Sequence, residues 1–304
     1  MPRGATWTWQ AGRNLGIRVG MSTPRGRHNS RSRRLSETAI NSILRRTWIT
    51  RLSYRWGLHG KLRITRHDIR IPTEKRLPAP LVLAFASDFH AGPTTHPEMF
   101  GALLEELLSR KPDVLLLGGD YVTGEATSVA ALSEVLSRYQ PPLGKYAVLG
   151  NHDLWTDDAH IQRQLTAAGA KVLINGNCPL PAPFDQVSVC GIDDPWTGAV
   201  NVRKAFEGAG PVRIFLTHSP DGLLFLTDEQ FDVGFAGHTH GGQVAFPDGT
   251  PVLSACGPLS RSYGQGRFEI AGRGTLIVGR GIGCSNLPIR LNADPELVIC
   301  TLQP

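Results

Sequence analysis

The sequence has no long apolar run: nowhere do its 304 residues approach the roughly 20 consecutive apolar residues that a membrane-spanning helix needs. It also lacks paired cysteines, because its five cysteines are scattered and none forms a Cys-x-x-Cys pair. These absences argue against an integral membrane protein, a disulfide-stabilised secreted domain and a zinc finger. Reduced thiols are typical of a cytoplasmic protein, which is the location we expect.

Acidic residues are scarce at the N-terminal end. Residues 1–76 contain 18 of the 32 Lys and Arg residues and only three acidic ones, whereas residues 77–304 contain 14 basic and 23 acidic residues. Residues 1–36 are rich in Arg, Gly, Ser and Thr and show little apolar periodicity, which is typical of disorder. We therefore predict a basic, partly disordered N-terminal arm over residues 1–76, with a helix over 37–56, followed by one folded domain over 77–304.

The sequence leaves the partner of the basic arm open. Arginines interleaved with tryptophans suit an anionic membrane surface, and residues 1–60 are the stretch that would bind it. Alternatively, the arm packs on the folded domain through its tryptophans, Trp48 and Trp56 among them. Nucleic acid is a less favoured partner, because no nucleic-acid-binding motif accompanies the charge.

The stretch "SRSRRLSET" (30–38) resembles a twin-arginine export signal. Arginines interrupt the segment after it, where such a signal needs a continuous apolar stretch. Retention in the cytoplasm is therefore the favoured interpretation, and an arm that binds an anionic surface could hold the protein at the inner face of the membrane. Met21 offers an alternative start of the chain.

After residue 80, short apolar runs alternate with helical patterns. Seven runs predict buried β-strands, at residues 81–87, 113–119, 146–150, 171–174, 187–192, 212–217 and 233–237. Helices are predicted between several of them, at residues 97–110, 127–139, 158–168 and 201–208. Residues 243–304 show no helical pattern, so we expect further strands joined by glycine turns. This order of elements favours an α/β sandwich whose sheets are covered by helices.

Polar side chains follow the ends of the predicted strands: Asp88, His90, Asp120, Asn151, His152, His218, His238 and His240. Ligand-binding groups in open α/β sheets collect at the carboxyl ends of the strands, so these side chains can converge. On extended backbone, residues i and i+2 point to the same side, which would pair Asp88 with His90 and His238 with His240. Carboxylate, imidazole and amide ligands together suit Mn, Fe or Zn, with Mg less favoured.

The order and spacing of these residues resemble the calcineurin-like metallophosphoesterase family, and in particular a bacterial branch that carries "GHTHGGQ". Five short family motifs occur in order: Asp88-Phe89-His90, Gly119-Asp120, Gly150-Asn151-His152-Asp153, His218 and Gly237-His238-Thr239-His240. The resemblance covers roughly residues 81–300. It implies a sandwich of two mixed β-sheets flanked by helices, an α/β/β/α arrangement.

The resemblance also implies that seven of these residues bind two divalent metal ions: Asp88, His90 and His240 at one ion, Asn151, His218 and His238 at the second, and Asp120 bridging both. His152 would not be a ligand. It would stabilise the phosphoryl oxygen or protonate the leaving group. Asp153 would either orient His152 or cap the segment that follows, with the cap slightly favoured.

The implied activity is hydrolysis of a phosphodiester or pyrophosphate bond by attack of metal-bound hydroxide. The substrate would be a phosphorylated small molecule, a nucleotide or a lipid-linked compound such as UDP-diacylglucosamine. After Asp120 the sequence lacks the further Asp and the Arg-Gly pair of the family's protein phosphatases, which argues against a phosphoprotein substrate. Two other functions stay open: a non-catalytic scaffold with the same fold, and a nuclease that uses the basic arm.

Two features beside the motifs have two interpretations each. Gly241 and Gly242 would either present N–H groups to a phosphate or simply permit a turn. Trp155 and Trp196 lie in loops after the motif-bearing strands. They would either contact an apolar or nucleobase part of the substrate or pack the loops together.

Overall fold

Two six-stranded β-sheets form the centre of the molecule. The computed structural model describes residues 48–253, 255 and 257–304. The strands are β1 (Arg63–Arg70), β2 (Leu81–Ala86), β3 (Val114–Leu117), β4 (Lys145–Ala147), β5 (Ala170–Val172), β6 (Gly176–Pro179), β7 (Val187–Gly191), β8 (Val212–Leu216), β9 (Val233–Ala236), β10 (Gly266–Ile270), β11 (Gly274–Val278) and β12 (Glu296–Gln303). Their order is β1-β12-β2-β3-β4-β5 in the first sheet and β10-β11-β9-β8-β7-β6 in the second.

Both sheets are mixed. In the first sheet, β2, β3, β4 and β5 pair in parallel, whereas β12 runs antiparallel to β2. In the second sheet, β7, β8, β9 and β11 pair in parallel, and β6 and β10 are antiparallel edge strands. The carboxyl ends of the parallel strands in each sheet therefore share one edge.

Helices cover the outer faces of the sheets. They are α1 (Trp48–Arg55), α2 (Glu98–Arg110), α3 (Val129–Ser137), α4 (Asn151–Leu154), α5 (Asp158–Ala167) and α6 (Val202–Phe206). Apolar side chains of α2, α3 and α5 pack on the first sheet, and those of α6 pack on the second. Between the sheets lies a further core, in which the rings of Phe85 and Phe235 lie 5.3 Å apart. The layers are thus α/β/β/α, as predicted.

The predicted strands and helices of the folded domain are confirmed. Each of the seven apolar runs contains a strand and each of the four helical patterns contains a helix, with ends that differ by a few residues. The strand-rich tail is also confirmed by β10, β11 and β12. The sequence did not predict β6, because Asn177 and Pro179 are poor strand formers, nor the short helix α4.

Strand β1 corrects the predicted domain boundary. Residues Arg63–Arg70 lie in the predicted arm, yet they pair with β12 in an unbroken parallel register. The folded part therefore begins well before residue 77. The strand escaped prediction because it lies at the sheet edge and is dominated by charged residues, with Ile69 its one buried side chain.

Helix α1 falls inside the predicted helix 37–56, whose first eleven residues lie outside the described part of the chain. Two buried polar side chains attach it to the body: the Thr50 hydroxyl donates a hydrogen bond to the Pro93 carbonyl, and the Ser53 hydroxyl donates one to the Pro288 carbonyl. Trp48 and Trp56 are 58% and 67% exposed. The alternative that these two tryptophans pack the arm onto the domain is therefore wrong.

Among the described residues, no helix has the length and apolar character needed to cross a bilayer. The longest, α2, has 13 residues and carries charged side chains at both ends.

Candidate metal centre

All eight side chains singled out at the strand ends meet at one edge of the sandwich. Asp88 and His90 follow β2, Asp120 follows β3, Asn151 and His152 open α4 after β4, His218 follows β8, and His238 and His240 follow β9. Each is no more than 9% exposed. Five of the side chains follow strands of the first sheet and three follow strands of the second, so the centre spans both halves of the molecule.

One group of ligand atoms comes from Asp88, His90 and His240. The Nε2 atoms of His90 and His240 lie 3.0 Å apart, and the Nε2 atom of His240 lies 3.5 Å from Oδ1 of Asp88. All three ligand atoms lie within 4.8 Å of one another. The three atoms face one point. Two imidazole nitrogens and one carboxylate oxygen form a ligand set that suits divalent ions such as Mn, Fe or Zn.

A second group is formed by Asn151, His218 and His238. The Nε2 atom of His218 lies 3.2 Å from Oδ1 of Asn151 and 3.2 Å from Nδ1 of His238. This set contains an amide oxygen and no carboxylate of its own.

Asp120 lies between the two groups. Its Oδ2 atom is 3.6 Å from Nε2 of His90 and 3.4 Å from Nε2 of His218. Its Oδ1 atom accepts the backbone N–H of His152 at 2.9 Å. The Asp120 carboxylate therefore faces imidazoles of both groups.

The backbone of the ligand segments is left-handed. The φ angles are 51° at Asp88, 44° at His90, 55° at Asp120, 73° at His238 and 53° at His240. The i and i+2 residues do point to a common place, but the predicted extended backbone is wrong. Non-glycine residues adopt this conformation at a cost and concentrate at functional sites, where the surrounding structure holds them.

Motif glycines are required because the ligand loops pack closely. A Cβ atom on Gly150 would collide with Oδ1 of Asp120, and one on Gly237 would collide with Oδ2 of Asp88. A Cβ atom on Gly119 would lie 2.6 Å from the backbone nitrogen of Gly150. The glycines before Asp120, Asn151 and His238 thus let neighbouring loops approach to hydrogen-bonding distance.

The structure supports the interpretation that Gly241 and Gly242 permit a turn. Both have positive φ, at 58° and 80°. Cβ atoms there would collide with Gln265 and Pro251, respectively. Their requirement for glycine follows from the turn and its packing.

The distal nitrogens of the histidines are held by partners that sequence reasoning missed. Nδ1 of His90 lies 2.8 Å from the Thr123 hydroxyl, and Nδ1 of His218 donates to the Gly118 carbonyl at 2.8 Å. These contacts fix each ring and leave Nε2 directed at the centre. The Arg290 guanidinium, which is buried, lies 3.2 Å from Nδ1 of His240. No local pattern in the sequence marks Thr123 or Arg290.

Asp153 acts as a cap. Its carboxylate accepts the backbone N–H of Gly150 at 2.9 Å, and also those of Asp120 and Tyr121 at 2.9 and 2.8 Å. The favoured interpretation of this residue is therefore confirmed. Asp153 additionally ties the loop after β3 to the start of α4.

The electrostatics of the centre favour binding of cations. Burial opposes ionisation of Asp120, but the His218 and His152 imidazoles outweigh it and hold the pKa of Asp120 well below its usual range. Burial likewise opposes a charge on His218, and the Asp120 carboxylate raises the pKa of this imidazole well above its usual range. Without metal, His218 therefore carries a proton, and a divalent cation that binds to this imidazole has to displace it.

His90 and His240 are held in the form that binds metal. Burial, together with the neighbouring His152, places the pKa of His90 well below its usual range. Burial and His90 have the same effect on His240. Neutral imidazole with a free nitrogen lone pair is the ligating species, so these rings need not lose a proton to accept an ion.

His152 lies at the edge of the centre next to a row of aromatic rings. Its ring is 4.8 Å from that of His90 and 4.8 Å from that of Trp155, and Trp196 follows 6.5 Å from Trp155 and 5.6 Å from His238. Ligand atoms of His152, His90 and Asp120 also lie within 4.8 Å of one another. His152 therefore lies beside ligand atoms of His90 and Asp120 on one side and beside Trp155 on the other.

A two-sheet sandwich with clustered histidine and carboxylate ligands at the strand ends defines a metallohydrolase site. Residues 81–242 match the calcineurin-like phosphoesterase family, and the chain belongs to that family. It is a metal-dependent phosphoric ester hydrolase, and the side chains that could hold divalent ions are those described above.

Relatives with assigned names support this conclusion. The chain is 32% identical to the phosphodiesterase YaeI of Escherichia coli strain K12 over 80% of this chain and 89% of that one. It is 29% identical to the uncharacterized metallophosphoesterase YkuE of Bacillus subtilis strain 168, over 71% and 77% of the two chains. It is 27% identical to the UDP-2,3-diacylglucosamine pyrophosphatase LpxG of Chlamydia muridarum, over 89% and 98%.

Proposed function

We propose that the protein is a two-metal phosphoesterase that hydrolyses a phosphodiester or pyrophosphate bond in a lipid-linked or nucleotide substrate, such as UDP-diacylglucosamine. The observation that carries the proposal is the position of Asp120, whose carboxylate lies within 3.6 Å of imidazoles of both ligand groups. The names of YaeI and LpxG support the bond type and the substrate class.

In this proposal Asp88, His90 and His240 hold one ion, and Asn151, His218 and His238 hold the other. Asp120 bridges the pair. Two such ions, with Mn, Fe or Zn favoured over Mg, would supply charge neutralisation and a nucleophilic water near neutral pH. The protein's own contribution is to fix the distance between the two sites and to hold Nε2 of His90 and His218 unprotonated when the ions are bound.

His152 is the residue that we propose acts on the substrate. Its backbone N–H is anchored on Asp120, and its ring lies edge-on to His90, at the boundary between the ligands and the half-exposed tryptophans. From there the imidazole can donate a proton to the leaving oxygen or a hydrogen bond to a phosphoryl oxygen. No Ser or Cys is needed as a covalent nucleophile.

A non-catalytic scaffold is disfavoured, because all seven ligand positions carry metal-binding residues and the geometry brings them together. A nuclease is also disfavoured, because only the charge of the arm supports it. We place the protein in the cytoplasm at the inner face of the membrane, with the basic arm as one of its contacts.

A substrate panel tests the proposal. Purified protein with Mn²⁺ is incubated with a chromogenic phosphodiester, a phosphomonoester, a nucleotide-sugar pyrophosphate, detergent-dispersed lipid pyrophosphate and single- and double-stranded DNA. We expect hydrolysis of the diester and of at least one pyrophosphate. Folded protein that binds no metal and hydrolyses none of them would refute the enzyme, and preferential cleavage of DNA would favour the nuclease.

A further inference from the structure

The exposed large apolar side chains are concentrated on one surface. Nine such side chains are exposed among the described residues, and seven of them lie in three short segments: Trp48, Trp56, Phe246, Val252, Leu253, Leu287 and Leu291. The segments are α1 with Trp56, residues 243–253, and residues 285–291. We call this surface the apolar rim. Apolar groups gathered in this way on a protein surface mark an interaction site.

Hydrogen bonds join the three segments into one surface. The backbone N–H of Ala245 donates to the Leu291 carbonyl at 2.8 Å, and the side-chain amide of Gln243 donates to the Leu287 carbonyl at 2.8 Å. The Ser53 hydroxyl of α1 donates to the Pro288 carbonyl. The exposed side chains are therefore held on neighbouring backbones.

The apolar rim adjoins the metal centre. The segment 243–253 begins two residues after Gly241, and the backbone N–H of Gln243 donates to the carbonyl of the ligand His240 at 3.0 Å. From the third segment, the Arg290 guanidinium reaches Nδ1 of His240. A large molecule held on the apolar rim would thus lie beside the reacting groups.

The charges around the apolar rim select its occupant. Arg51 and Arg55 are exposed on α1 beside the two tryptophans. The 47 residues that precede Trp48 contain ten arginines and one acidic residue, and Trp48 itself belongs to this surface. The three segments themselves contain a single acidic residue, Asp248, whose carboxylate accepts the N–H of Thr250. Exposed tryptophan, aliphatic side chains and arginine together match an anionic lipid bilayer.

A second copy of this chain fits the surface less well. A symmetric dimer through the apolar rim would bring two α1 helices, with their arginines, and two basic arms together. Residues 77–304 are net acidic, so a bilayer with anionic headgroups repels the rest of the body and attracts this side.

We propose that the apolar rim docks the protein onto an anionic membrane and presents the metal centre to substrates that lie in that membrane. The docking itself depends only on the apolar rim, whereas its benefit for a lipid-linked substrate rests on the proposed function. The proposal differs from binding through the basic arm alone, because five of the seven apolar side chains belong to residues after 240.

Vesicle co-sedimentation tests the docking without using activity. The full chain is mixed with vesicles of phosphatidylglycerol and phosphatidylcholine, or of phosphatidylcholine alone. The test variant is the double substitution Phe246→Asp with Leu287→Asp, and the control is Leu108→Asp, an exposed leucine on α2. We expect the wild type and the control to bind the anionic vesicles, and the double variant to bind at least about tenfold more weakly, because two apolar side chains no longer enter the interface.

Two further measurements make the outcome decisive. Binding of the anionic vesicles by the double variant at the wild-type level would overturn the proposal and leave the basic arm as the membrane contact. If the wild type forms a dimer in solution and the double variant is a monomer, the apolar rim is a dimer interface and the membrane proposal is overturned. Hydrolysis of a water-soluble diester should be equal in all variants. If no diester is hydrolysed but docking holds, the proposed function fails and the docking surface stands.

Discussion

At the scale of single residues, the centre depends on which nitrogen of each histidine is free to bind a metal. Thr123 orients the ring of His90, because its hydroxyl lies 2.8 Å from Nδ1 and leaves Nε2 directed at Asp120 and His240. A hydrogen bond that orients a metal-binding imidazole in this way usually raises metal affinity about 10–100-fold.

We therefore predict that Thr123→Val, which keeps the shape but removes the hydroxyl, lowers metal affinity about 10–100-fold. Thr123→Ser, which keeps the hydroxyl, should bind metal like the wild type. Competition with a metal-sensitive dye measures the affinity of both. Equal affinities in the valine and serine variants would show that the contact does not orient His90.

His152 provides the second residue-scale prediction. In His152→Ala the metal content should be unchanged, while kcat for a chromogenic phosphodiester falls about 10²–10⁴-fold, because proton donation to the leaving group is lost. Metal analysis and steady-state kinetics are done on the same sample. His160→Ala, on the half-buried face of α5, is the control and should change neither quantity. Loss of metal in His152→Ala would make His152 a ligand instead.

The sequence predicted which residues meet at the centre but not how their backbones achieve it. The motif residues are recognisable because ligand types recur after each apolar run. The left-handed φ angles of Asp88 and His240 were not predictable, because they depend on contacts with loops from other strands. Thr123 and Arg290 were missed for the same reason: each is an ordinary residue in its own segment and acquires its role by approaching a histidine far away in the chain.

At the scale of the elements, buried strands were predictable and exposed ones were not. Strands such as β3 and β9 are continuous apolar runs because both faces are covered. Strand β1 gave no such signal, since its side chains are mostly exposed and charged. For helix α1 the helix was predicted but its buried face was not. Trp48 and Trp56 suggested a packing face, whereas Thr50 and Ser53 are the buried residues.

The connection between α1 and β1 supplies a pH prediction through His59. This side chain is 1% exposed, with Nδ1 3.4 Å from the Ser53 hydroxyl and Nε2 3.2 Å from the Thr94 carbonyl. Burial lowers the pKa of His59 from 6.5 to about 4. The unfolded chain therefore takes up this proton first as the pH falls, so the free energy of unfolding decreases between pH 6.5 and about 4.

We predict that the loss of thermal stability between neutral and mildly acidic pH is smaller in His59→Gln than in the wild type, because glutamine does not titrate. The measurement is the Tm of both proteins, with metal present, at several pH values across this range. A constant difference in Tm between the two proteins at every pH would show that His59 does not contribute to the acid sensitivity.

At the scale of the whole molecule, the metal centre joins the two sheets. Each proposed ion takes ligands from both: Asp88 and His90 of the first sheet with His240 of the second, and Asn151 of the first with His218 and His238 of the second. The Asp88 carboxylate already accepts the backbone N–H of His238 at 3.0 Å, a link between the sheets without any ion.

Removal of metal should therefore destabilise the whole fold rather than one loop. We predict that chelation with EDTA lowers the Tm of the protein, and that adding Mn²⁺ back restores it in proportion to the logarithm of the free metal concentration. Differential scanning calorimetry checks this. An unchanged Tm after verified metal removal would show that the ligands contribute nothing to the association of the sheets.

The central claim is that two ions share Asp120, and the metal content per chain tests it most directly. Protein loaded with Mn²⁺ and freed of excess metal should contain two equivalents per chain when it hydrolyses a phosphodiester. Asp120→Asn should lose at least one equivalent together with its activity. A fully active wild type with a single equivalent, or an Asp120→Asn variant that keeps both ions and full activity, would contradict the two-metal assignment.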